Sequence, residues 1–189
     1  MAALAGLRIA QGRGKLGHEH ATAKNRAANE IDLIFKFGEE RHSRRIARAI
    51  MKARPIRTTT ELAQVVTRAI PSRTGLHQIH PATRTFMALR LAVNHELENL
   101  EQFLAKALGV LAPQGRLVIL SFHSLEDRLV KRAFQSWQRE GRAHLLTRKV
   151  VRPGQEELDR NPRARSAKLR AAEKNRDQET RKTKIENQI

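Results

Sequence analysis

The segment RLVILSFHSLEDR, residues Arg116–Arg128, decides the fold class of this chain. Leu117–Leu120 form a continuous apolar run, and such a run is typical of a strand covered on both faces, as in a parallel sheet. Ser124 and Asp127 have capping-box spacing, which predicts a helix that begins at Leu125. The segment is therefore predicted to be a buried strand that turns directly into a helix, which indicates an α/β protein.

The flanking segments supply the remaining predicted elements. Residues 30–54 are predicted to be helical, and Thr58 with Glu61 forms a second capping box ahead of an apolar stripe. Apolar residues recur at steps of three and four over 84–108, which predicts one long helix. After residue 128, the stretch 145–151 is predicted to be an edge strand, and 165–174 to pair back as a last strand.

The composition indicates a polyanionic partner. The net charge is +18, from 37 Lys and Arg against 19 Asp and Glu. A protein this basic usually binds nucleic acid, because neutralised phosphates release counterions; a charged, solvated surface is the alternative. The absence of cysteine excludes disulfides and thiol catalysis. No apolar run approaches the ~20 residues of a membrane span, so a cytoplasmic location is expected.

Five cations fall on one face of the helix predicted after Gly38. With 100° per residue, Ile46 and Ile50 fall on the opposite face. No acidic residue interrupts the stretch from residue 41 to residue 57, whereas a solvated face usually mixes both signs. This cationic face is the first candidate for RNA binding, and it consists of Arg41, Arg44, Arg45, Arg48 and Lys52.

Two turns are further candidates. His80 and Arg84 lie in a loop that enters the predicted long helix, and they could bind phosphate or a base edge; Thr83 could equally cap that helix. The turn after the apolar strand places polar groups at the carboxyl end of a strand, where α/β proteins bind ligands.

In that second turn, His123 and Glu126 are candidates to face a substrate, and Ser124 is a candidate neighbour of an active site. Cap chemistry is the alternative for Ser124 and Asp127, and a hydrogen-bonded turn residue is the alternative for His123. The catalytic group stays unassigned. The eight histidines are scattered, so no metal site is predicted.

Four segments, in order, resemble the RsmH (MraW) family. They are FGEERHSRRIARAI, HPATRTFMALRLAVNHELENLEQFL, GRLVILSFHSLEDRLVKRAF and NPRARSAKLRAAEK. The resemblance covers roughly residues 30–175. It implies an S-adenosylmethionine-dependent methyltransferase that modifies N4 of a cytidine in the decoding region of small-subunit (16S) ribosomal RNA. The implied fold is a partial class I (Rossmann-like) methyltransferase sheet with an inserted all-helical domain.

The resemblance also implies what this chain lacks. Residues 1–29 match no part of the family and are expected to be poorly ordered. Residues 30–80 correspond to the inserted RNA-recognition domain, 81–175 to the C-terminal part of the methyltransferase domain, and 176–189 to a basic tail. The family's cofactor-binding strands and glycine-rich loop find no counterpart here, so no cofactor-binding residue can be assigned.

A truncated enzyme with impaired binding of S-adenosylmethionine is therefore expected. Its uncovered sheet edge invites self-association. The alternative is a non-catalytic basic RNA-binding module.

Overall fold

The computed structural model describes residues 23–70 and 80–176, which fall into two compact units divided between Glu96 and Leu97. The first helix begins at Ala23, and the expectation of poor order over 1–29 stays a prediction. Residues 1–22 and, apart from Arg176, the basic tail lie outside the described residues. No described helix is long and apolar enough to cross a bilayer.

In the described part of the first unit there are four helices: α1 (Ala23–Gly38), α2 (Ser43–Ala53), α3 (Thr59–Ala69) and α4 (Thr83–Asn94). Their buried apolar side chains form one core because each helix contributes an apolar stripe. The buried members of that core are Ile34, Ile46, Ala47, Ile50, Leu62, Val66, Ala82 and Leu89. The predicted apolar face of α2 is thereby confirmed.

The capping box of α3 forms as the sequence predicts. The Thr58 hydroxyl accepts the Glu61 N–H at 3.1 Å, and the Glu61 carboxylate accepts the Thr58 N–H at 3.4 Å. The same carboxylate also accepts the Arg57 N–H at 2.7 Å. These bonds satisfy backbone donors that the start of a helix leaves unpaired.

A close backbone contact joins α1 to α4 at Gly38. A Cβ atom at Gly38 would lie 2.9 Å from the carbonyl oxygen of Arg84 and 3.4 Å from the Ala88 side chain. Only glycine permits this approach without a shift of one helix.

The single helix predicted over 84–108 is wrong. His95 adopts left-handed backbone angles (φ 52°, ψ 36°) and ends α4, and α5 then runs over Glu96–Val110. No glycine or proline marks this break. The functional boundary predicted between residues 80 and 81 stays a prediction, but the structure places α4 in the first unit.

The second unit is a mixed α/β unit built around a three-stranded sheet. After α5, its elements are β1 (Arg116–Ser121), α6 (Ser124–Arg139), β2 (Ala143–Leu145), α7 (Gln155–Arg160), a 3₁₀ turn (Pro162–Ser166) and β3 (Lys168–Lys174). The predicted strand-to-helix turn and the returning last strand are therefore confirmed.

The sheet is antiparallel within the described residues, so the prediction of a parallel sheet is not met there. Its order is β1-β3-β2, with Arg116 opposite Glu173 and Ser121 opposite Lys168. The apolar run correctly predicted a strand, but it could not specify which distant segment would pair with that strand. Here the partner is β3, which runs in the opposite direction.

One face of the sheet packs on helices, and the other is open. Leu117 and Ile119 contact the core that contains Val130, Phe134 and Trp137 of α6. The alternate side chains of β1 lie on the other face and are exposed. The prediction of cover on both faces is therefore wrong for the described residues.

Candidate functional sites

Four members of the predicted cationic face lie on α2, and the fifth, Arg41, lies in the turn just before the helix. All five of its cations are exposed, while Ile46 and Ile50 on the opposite side are buried. Within the described ranges, none of the five makes an ion pair. Arg54, at the end of the same helix, differs because it pairs with Glu30. The face thus offers five charges to an external anion.

The loop before α4 is engaged in local structure. His80 is exposed, and its Nδ1 accepts the Ala82 N–H at 3.2 Å. Thr83 does not cap the helix through its side chain, since the cap position is Ala82 and makes no such bond. Arg84 donates to the carbonyl oxygen of Glu39 at 3.2 Å. This bond brings Arg84 to the start of the cationic face but also uses part of its donor capacity.

The turn after β1 is organised by an imidazole and a carboxylate. His123 is the N-cap of α6, and its Nδ1 accepts the Glu126 N–H at 3.3 Å. Its Nε2 lies 3.1 Å from the Glu126 carboxylate, although not along the axis of a hydrogen bond. The other carboxylate oxygen accepts the Phe122 N–H at 3.1 Å. This pattern resembles a capping box with histidine in the place of serine, except that Glu126 accepts the N–H of Phe122, the residue before the cap.

The helix therefore begins one residue earlier than predicted, and Ser124 is its first residue and not its cap. The His123 side chain is only 10% exposed. Since Nδ1 acts as an acceptor, the proton of a neutral ring must lie on Nε2, toward the carboxylate.

The Glu126 carboxyl group responds to opposing effects. Burial alone would raise its pKa, but contact with His123 and the bond from the Phe122 N–H lower the pKa below its ordinary value. The carboxylate form is therefore favoured in the folded state. Such a group suits helix capping or acceptance of a hydrogen bond better than it suits the donation of a proton.

Asp127 fills a role that the sequence did not predict. Its two oxygens accept from Arg170 Nε at 2.7 Å and from the Arg170 terminal nitrogen at 3.2 Å. Arg170 is the third residue of β3, and its side chain is mostly buried. This bidentate pair ties the first turn of α6 to the sheet. Capping-box spacing predicted that Asp127 takes part in a helix cap. No local pattern predicts a partner 43 positions later in the chain.

Ser121 also has a structural role in the described unit. It is buried, and its hydroxyl donates to the Lys168 carbonyl oxygen at 3.3 Å. His123, Ser124 and Glu126 thus lie together in the turn at the start of α6. Asp127 and Ser121 instead bond to residues of β3. The site is a polar turn at the end of β1, next to the amino end of α6.

Comparison of the sequence with known families gives the class of protein. The MraW methylase family model matches residues 21–175, and the chain therefore belongs to that family. The match begins at residue 21, so the expectation that residues 1–29 match nothing is wrong for residues 21–29.

Several curated relatives share the name "Ribosomal RNA small subunit methyltransferase H". The relative from Koribacter versatilis is 58% identical over 142 residues, which are 75% of this chain and 45% of the relative. The relative from Acidobacterium capsulatum is 59% identical over 143 residues (76% and 48%), and that from Syntrophobacter fumaroxidans is 54% identical over 161 residues (76% and 50%). The chain spans about half the length of these relatives.

Proposed function

We propose that this chain is part of a methyltransferase that modifies small-subunit ribosomal RNA, with S-adenosylmethionine as the methyl donor and N4 of a cytidine as the acceptor. The family match over residues 21–175 carries this proposal. The relatives' shared name supports the RNA substrate. The donor and the acceptor atom come from the resemblance, as do the class I sheet, the inserted helical domain and the cytoplasmic location.

The described residues offer no fitted site for S-adenosylmethionine. The polar groups after β1 are engaged with one another, since His123 contacts Glu126 and Asp127 holds Arg170. We therefore assign no residue in the described ranges to the cofactor, and we expect weak binding or none. Calorimetric titration of the chain with S-adenosylmethionine tests this, and a micromolar dissociation constant would contradict it.

Transfer of a labelled methyl group tests the proposed activity. One mixture contains the chain, small-subunit RNA and S-adenosylmethionine with a labelled methyl group. A second mixture also contains the part of a relative that this chain does not span. Label at a cytidine N4 in either mixture supports the proposed function. Label at another atom, or in neither mixture, would refute it.

RNA contact is assigned to the cationic face of α2. Five exposed cations without ion-pair partners in the described structure can each neutralise a phosphate. His80 and Arg84 are proposed as additional contacts, with Arg84 the weaker because Glu39 already accepts from it. Each phosphate contact contributes about 0.7 to 0.9 to the slope of log K against log salt.

Charge reversal tests this interface. The triple variant R44E/R45E/R48E should bind a fragment of small-subunit RNA more weakly, with a salt slope reduced by about two to three. The matched control is K131E/R132E/R139E, which makes the same change in net charge on exposed positions of α6. Equal losses in both variants would show that only total charge matters and would reject a specific role for α2.

A non-catalytic RNA-binding module is the second candidate. The observation that favours it is the cationic face, whose five exposed cations make no ion pair within the described ranges. Salt-dependent RNA binding without methyl transfer in either mixture would identify this function.

A further inference from the structure

A groove of about 470 Å³ lies in the helical unit, between the chain that follows α2 and one face of α3. Its volume falls in the range of about 300–1,000 Å³ that is usual for small-ligand sites. On the α3 side, the lining residues recur at steps of three and four and therefore share one helix face, whereas Leu62 and Val66 of the same helix lie in the core. The lining includes Ile56, Arg57, Glu61, Gln64, Val65 and Arg68.

The groove combines apolar and polar side chains. Ile56 and Val65 are half-buried and pack on the core of the helical unit, so they give the groove an apolar base. Arg57, Gln64 and Arg68 are exposed. An apolar lining with a few polar groups around it is the usual composition of a ligand site. The groove therefore suits a flat, partly apolar ring that carries hydrogen-bonding groups on its edge.

Hydrogen bonds fix the shape of the groove. The Glu61 carboxylate accepts the Arg57 N–H at 2.7 Å and the Thr58 N–H at 3.4 Å. These bonds tie the incoming chain to the first turn of α3, and they also engage the one carboxylate in the lining. Because the two walls are joined before any ligand arrives, little ordering is needed when the ligand binds.

The charge around the groove favours an anionic ligand. Arg57 and Arg68 make no ion pair within the described ranges. Lys52, the last member of the cationic face, immediately precedes Ala53, which also lines the groove. A guanidinium can pair with a phosphate and can stack on a nucleobase. The Gln64 amide can both donate to and accept from the edge of a base.

We infer that this groove binds one unstacked base of a single-stranded RNA, while the cationic face binds the neighbouring phosphates. A guanidinium of Arg57 or Arg68 stacks on the base, and Gln64 bonds to its edge. A base inside a duplex is paired and stacked and cannot enter, so the groove selects single-stranded RNA, which phosphate contacts alone do not. The inference rests on the proposed RNA substrate and adds the form in which that RNA is bound.

Paired variants test the inference in the full chain. The variant Q64A/R68A should bind a short single-stranded RNA about fivefold or more weakly, because stacking on one base contributes about 1–3 kcal/mol. Its loss for a duplex of the same sequence should stay below about twofold. The matched control is Q135A/R139A, which removes the same residue types at the same spacing from exposed positions of α6 and should weaken both RNAs equally. Fluorescence anisotropy measures binding, and circular dichroism confirms the fold of each variant. Equal losses of the two RNAs in Q64A/R68A would overturn the inference, since the groove would then contribute charge alone.

Photo-cross-linking locates the base. The single strand carries 4-thiouridine, and mass spectrometry identifies the peptide to which it is joined. Cross-links within residues 53–68 are the expected result. Cross-links found only in other parts of the chain would overturn the groove and leave the proposed RNA substrate in place. A chain that binds neither RNA would overturn both.

Discussion

The pair between Asp127 and Arg170 is expected to hold α6 on the sheet, and Asp127→Asn tests this. The substitution keeps the shape of the side chain but removes its charge. Arg170 then retains a guanidinium whose side chain is only 11% exposed, without its counter-charge. The loss of one member of a buried pair costs about 3–5 kcal/mol, and we expect the lower end because Asp127 is still 17% exposed.

Urea unfolding followed by Trp137 fluorescence measures this cost. Trp137 is the only tryptophan of the chain, is 5% exposed and packs 5.1 Å from the Phe134 ring, so it reports on the second unit. With a slope of about 1–1.5 kcal/mol/M for a unit of this size, the midpoint should fall by about 2–3 M.

Two controls make the result decisive. Glu156→Gln breaks an exposed pair with Arg160, whose members are both 78% exposed, and it should cost no more than about 0.5 kcal/mol. The double variant D127N/R170M removes the unpaired charge and should be more stable than Asp127→Asn alone. If Asp127→Asn costs no more than Glu156→Gln, the pair does not hold the helix as argued.

Three further predictions concern local features. Gly38→Ala should lower the free energy of unfolding of the helical unit by about 1–3 kcal/mol, since its Cβ would lie 2.9 Å from an α4 carbonyl oxygen. The control is Gly109→Ala, whose Cβ would meet no atom within 4 Å and which should be neutral or stabilising. Circular dichroism melts measure both variants. Thr58→Ala should cost the same unit about 1 kcal/mol through the lost cap, and Thr60→Ala, which removes no cap bond, should cost less in the same melts. Because the pKa of Glu126 is lowered in the folded state, its carboxylate stabilises the second unit above the ordinary pKa, and this contribution is lost as the pH falls through the lowered value. Urea titrations between pH 7 and pH 3, read by tryptophan fluorescence, should therefore show a smaller loss of stability for Glu126→Gln than for the original chain, and equal losses would contradict this assignment.

The local elements were predictable because their signals lie within a few residues. The Thr58–Glu61 box, the apolar side of α2 and the turn from β1 into α6 all follow from spacing over three or four positions. The cationic face was predictable for the same reason, since helical periodicity alone sorts its charges from Ile46 and Ile50.

Long-range features were not predictable from such patterns. Leu117–Leu120 indicated a strand, but the choice of an antiparallel partner depends on β3, some 50 residues later in the chain. The break at His95 carries no glycine or proline signal, and histidine takes the left-handed conformation at a modest cost. His123 replaces the serine expected as the cap, because imidazole nitrogen can accept the same backbone bond.

The position of β3 between β1 and β2 has a consequence for biosynthesis. A growing chain emerges from its amino end, so β1 and β2 are made before the strand that joins them. At translation rates of about 5–20 residues per second, β1 waits roughly 3–10 seconds for its partner. During that interval the helical unit can already fold from local contacts, whereas the LVIL run of β1 remains an unpaired apolar segment, the kind of segment that promotes aggregation.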